Sequence, residues 1–84
     1  MERSKEILTE QERLCDLVDA LAIEMKVKLT EKMLEGWGGW DCMDVDVIKQ
    51  RIHKHVLKGD AVDIANLAAF LWFNSNAGVE RAGK

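Results

Sequence analysis

Asp60, Asp63 and Asn66 recur every third residue in the stretch GDAVDIANLAAFLW, whose other side chains are almost all apolar. On a helix that spacing stacks the three polar groups along one edge. Two carboxylates and an amide on one edge can share a cation, which makes Asp60 and Asp63 candidate metal ligands and Asn66 a candidate ligand contact. A structural reading competes with this one. Asp60 would cap the helix, Asp63 would assist, and Asn66 would pair across an interface. In either case an ionised Asp63 on so apolar a helix needs a partner, because an isolated buried charge is costly.

Other chemistry-bearing residues lie just upstream. His53, His55 and Cys42 contain metal-binding atoms, but histidines two positions apart on a helix point to nearly opposite sides, which disfavours a shared zinc site. His55 flanks the apolar stripe and His53 the polar one, so His55 is expected at an interface or the core edge. Trp37 and Trp40, on a glycine-rich loop, can stack a base or cover a pocket, or form a lid over the hydrophobic core. No phosphate-binding glycine motif, nucleophile elbow or catalytic cysteine–histidine arrangement is present.

These residues must be positioned by a small chain. The sequence has 84 residues, no proline and a net charge of −3 with both signs interspersed. Helix formers dominate and strand-like alternation is absent, so the expected fold is all-α and the expected organisation a single domain spanning 1–84. General duplex DNA binding is disfavoured by the acidic charge. Without a long apolar span or signal-peptide core, the chain is expected to be cytoplasmic, with Cys15 and Cys42 reduced and no membrane partner.

Three helices are predicted, one long and two shorter. The first runs from about Thr9 to Glu35, opened by a capping box of Thr9 and Glu12. Leu14, Val18, Leu21, Met25 and Leu29 form its apolar stripe, widened by Ile23, Val27 and Leu34. Gly36 ends it. The second, about Val45 to Leu57, is capped by Asp41 or Asp44 and buries Val45, Ile48, Ile52 and Val56. Gly59 stops it, and the third runs from Asp60 or Ala61 to about Asn74, buried on most sides. Its Asp63 is expected to pair with Lys49, Arg51, His53 or Lys54 of the preceding helix. Residues 75–84 have the composition of a flexible tail. So long a first helix exceeds what two short partners can cover, so an antiparallel bundle completed by self-association is expected, most simply a homodimer.

GWGGWD followed by KGDAVDIANLAAFLW resembles small bacteriophage and prophage proteins with a Gly-Gly-Trp-Asp loop and a KGDPVDVANF type helix. Those in turn resemble the MazG-like all-α nucleotide pyrophosphohydrolases, phage dATP/dGTP diphosphohydrolases included. The resemblance spans roughly Leu21 to Phe73. It implies a site in which an E-E-x-x-E motif on one helix and an E-x-x-D motif on the next hold metal ions such as Mg²⁺ against nucleotide phosphates. Asp63 matches the aspartate of the second motif and Asp60 takes the place of its glutamate. The first motif does not carry over: the preceding helix reads RIHKHV, and the stretch joining the motifs is short.

The resemblance therefore implies a phage-type helical protein, resident in the cytoplasm of an infected or lysogenic bacterial host, in which pyrophosphohydrolase activity is weak or lost. Its expected role is to bind a nucleotide or a protein partner, from host or phage. An active Mg²⁺-dependent (d)NTP pyrophosphohydrolase and a nucleic-acid-binding accessory module are the alternatives.

Overall fold

In the computed structural model, residues 9–77 are described, and among them the chain is all-α, with three α-helices and no strands. Helix α1 spans Glu10–Leu34, α2 spans Val45–Lys58 and α3 spans Ala61–Trp72. A single 3-10 turn at Trp40–Cys42 interrupts the α1–α2 connection, and α3 runs on into a π-helical turn at Phe73–Ala77. Of the tail expected over residues 75–84, residues 75–77 are thus helical, and the remainder lies outside the described residues.

Local chemistry sets the helix ends. The Thr9 hydroxyl accepts from the Glu12 N–H at 3.1 Å, and the Glu12 carboxylate accepts from the Thr9 N–H at 2.9 Å. This reciprocal cap satisfies two backbone donors that a helix start leaves unpaired. At the other end of α1 the Gly36 N–H bonds Met33 O at 2.9 Å and the Trp37 N–H bonds Lys32 O at 3.0 Å, the paired bonds of a Schellman closure. That closure needs a left-handed residue, which Gly36 supplies at φ 90°. Asp44 rather than Asp41 caps α2, accepting from the Asp46 N–H at 2.8 Å.

The core is small and centred on α3. Ile48 of α2 is fully buried against Leu67 and Phe70 of α3, and Leu29, Trp37, Met43, Ile52 and Leu71 pack around them. Helices α2 and α3 form a hairpin closed by Gly59, and the C-terminal half of α1 lies across α3. Trp37 and Trp40 both stack on Phe70, with ring centroids 5.6 and 5.8 Å away. The Asn74 amide ties this loop down by donating to Trp40 O at 2.9 Å and Phe70 O at 2.8 Å.

Three expectations about burial are corrected. Val56 does not join Ile48 and Ile52 inside but is exposed, because the inward row of α2 runs Ile48, Ile52, His55. In α3 only Asn66, Leu67 and Phe70 are buried, and Trp72 is 64% exposed. The reason is that a single chain offers only two helices to cover it. The α1 stripe is interred only from Leu21 onward, so Leu14 and Val18 project beyond the core. Among the described residues no helix is long and apolar enough to cross a membrane.

Two substitutions test this account. Ile48→Val removes one methylene from the only fully buried large side chain among the described residues and is expected to cost about 0.5–1.5 kcal/mol. Gly59→Ala meets nothing within 4 Å, yet forces a Cβ into φ 77° and is expected to cost about 1–2 kcal/mol through backbone conformation alone. Urea unfolding of the two variants checks both. A neutral Gly59→Ala would contradict the hairpin closure described here.

Candidate functional site

The α2–α3 turn builds one side of the site. With Gly59 left-handed, the Asp60 N–H reaches back to His55 O at 3.2 Å, which swings the Asp60 side chain alongside the His55 ring. His55 Nδ1 lies 3.1 Å from Asp60 Oδ2 and 3.7 Å from Asp63 Oδ2. A carboxylate can only accept, so Nδ1 carries the proton in this arrangement and donates to Asp60. Asp60 occupies the N-cap position of α3 but makes no side-chain capping bond, because its carboxylate is turned to the histidine. Asp63, in the first turn of α3, also gains from the positive end of the helix dipole, typically about 0.3–1 kcal/mol.

The other side of the site comes from α1. Lys28 Nζ approaches Asp63 Oδ1 at 3.5 Å, while the Asp63 side chain is only 17% exposed. One turn further along α3, Asn66 is 4% exposed, and its Nδ2 donates to Met25 O of α1 at 3.4 Å. Its Oδ1 is buried without a hydrogen-bond partner among the described residues. Beside these groups opens a cleft of about 90 Å³ with Lys28, Lys32, Arg51, His55, Asp63 and Asn66 on its polar walls and Trp37 on its apolar one.

The candidates chosen from sequence separate into three groups. Asp60, Asp63 and His55 converge, their ligating atoms all within 4.8 Å of one another. Asn66 lines the same cleft. His53 faces away, on an exposed strip with Lys54 and Leu57. Trp37 is a half-buried cleft wall, whereas Trp40 is exposed and edges onto Phe73 at 5.1 Å. Cys15 and Cys42 are free and exposed, and neither joins the group of His55, Asp60 and Asp63.

The partners expected for Asp63 need correction. Of Lys49, Arg51, His53 and Lys54, none makes an ion pair with Asp63 among the described residues. Its partners are Lys28 and His55. Sequence reasoning missed Lys28 and Lys32 because it sought the partner on the neighbouring helix. A signal was present, since both lysines border the stripe of Met25 and Leu29 at three- and four-residue spacing.

An imidazole and two carboxylates can hold a transition ion such as Zn²⁺ or Mn²⁺. They suit Mg²⁺ poorly, since it favours an all-oxygen shell. Any cation here must also displace Lys28 from Asp63 and the proton from His55 Nδ1. Lys28, Lys32 and Arg51 outnumber the one carboxylate on the cleft walls, so the local field favours an anion. Compared with known proteins, the chain matches no family model, no curated protein and no solved structure.

Asp63→Asn retains a hydrogen-bond acceptor for Lys28 and is expected to change stability by less than about 1 kcal/mol. Asp63→Leu strands both partners and is expected to cost roughly 1–3 kcal/mol. Equal losses in thermal unfolding would show that the two contacts to Asp63 contribute nothing specific.

Proposed function

We propose that the chain is a reduced, MazG-like protein of phage type that binds the phosphate end of a nucleotide and hydrolyses it weakly or not at all. The observation that carries this reading is the charge of the cleft: Lys28 and Lys32 from α1 and Arg51 from α2 line it beside Asp63, and Arg51 opens the RIHKHV stretch where the resembled family would place glutamates. Two or more metal ions held between helices need several carboxylates, whereas a phosphate needs cations and N–H donors.

The volume argues in the same direction. A cleft of about 90 Å³ is well below the ~300–1,000 Å³ that encloses a whole organic ligand, so it suits one phosphate group with the nucleoside outside. Trp37, on the cleft wall, offers an aromatic face near the exit.

The test is ligand-dependent thermal unfolding with inorganic pyrophosphate, dATP and dGTP, each with and without Mg²⁺. Binding to the native state must raise the melting temperature, and here it is expected to do so without metal. Arg51→Ala and Lys32→Ala should each weaken the effect about tenfold in concentration, as expected for loss of one charge-assisted contact. No shift with millimolar pyrophosphate or nucleotide would sink the proposal. Rapid pyrophosphate release that is lost on Asp63→Ala would replace it with the active hydrolase.

A further inference from the structure

We infer that two copies of the chain associate through antiparallel α1 helices, each laying its projecting N-terminal half into an apolar groove of the other. The inference is independent of the nucleotide reading, because it concerns the opposite flank of α1. Lys28 and Lys32 border the polar cleft, whereas Thr30 and Met33 border the groove.

The groove holds about 610 Å³ between the C-terminal half of α1, the glycine loop and the end of α3, with Leu29 and Met33 on one wall and Trp40, Phe70 and Trp72 on the other. The projecting half of α1 presents a matching surface. Every residue from Glu10 to Ala20 is exposed, and Leu14, Leu17 and Val18 are 53%, 64% and 62% exposed. Leu14 and Val18 continue the stripe that Met25 and Leu29 press onto α3, so they point toward whatever lies beneath that helix.

Overhang and groove sit at opposite ends of one helix, so a single two-fold axis satisfies both at once. Set the axis across α1 between Ala22 and Ile23, on the groove side. Leu14 of the second copy then arrives level with Glu31, between the groove residues Leu29 and Met33. Its stripe faces down onto the floor. Cys15, Asp19, Ala22 and Lys26 share the groove-facing flank of α1 by their three- and four-residue spacing, with small side chains among them that let the helices approach. Antiparallel pairing about this axis brings Asp19 of each copy opposite Lys26 of the other.

The charges on this flank of α1 select the direction. Asp19 and Lys26 lie on either side of the axis. Antiparallel helices set Asp19 along Lys26, and parallel helices would set acid on acid and base on base.

Light scattering at tens of micromolar should give a dimer mass. Asp19→Lys and Lys26→Asp, both at exposed positions, should each raise the dimer dissociation constant at least about tenfold, because every dimer contains the contact twice. The double variant Asp19→Lys/Lys26→Asp exchanges the charges and should recover most of that loss. A monomer mass at this concentration would overturn the inference. So would single variants that dimerise as well as the parent, or a double variant no better than the singles. Oxidation that links Cys15 to Cys15 of a second copy would mean parallel helices, and would overturn it too.

Discussion

The contact of Phe70 and Leu67 with Ile48 is what the rest of the structure depends on. These three side chains are the buried apolar core of the described residues, and each further element is positioned by touching them. The α2 helix meets α3 there, the C-terminal half of α1 adds Leu29, and the glycine loop folds back so that two tryptophans stack on the Phe70 ring. A core of this size leaves little margin, since a small domain buries a modest fraction of its surface. The loop is therefore a structural member. Without its indole rings, Phe70 would lose one whole side of its packing.

The same helix explains how charge survives next to that core. Helix α3 is apolar around most of its circumference, but its polar edge lies along the line where α1 and α2 both approach. Asp63 is served by a lysine from one and a histidine from the other. Asn66, one turn deeper, is held by a carbonyl of α1. Depth and polarity are thus graded: Asp60 is partly open, Asp63 mostly covered, and Asn66 enclosed. The question raised by carboxylates on an apolar helix has its answer in this seam between three helices, where ionic partners arrive from two sides.

Much of the architecture could be read locally. The Thr9–Glu12 capping box, the stop at Gly36 and the turn at Gly59 were all legible, and the α2 cap was narrowed to Asp41 or Asp44, because each joins groups within a few residues and needs no distant partner. The all-α class followed from composition and periodicity for the same reason. Where reading failed, a third body was involved. Val56 and His55 are neighbours, and periodicity alone gave the inward place to the valine. The Gly59 turn draws Asp60 back against His55 and so favours the histidine.

The sequence by itself determined the helices, their ends and the polar edge of Asp60, Asp63 and Asn66, since spacing along a helix fixes which side chains share a side. It could not determine what that edge faces. Lys28 lies 35 positions before Asp63, and the two meet only because α1 crosses α3 at one angle and one register. Turning α1 about its axis by roughly 60–100° would present Met25 or Leu29 in its place. Side-chain direction is a local property of the backbone, but the company a side chain keeps depends on how whole helices pack. That packing decided that three cations and a single carboxylate line the cleft.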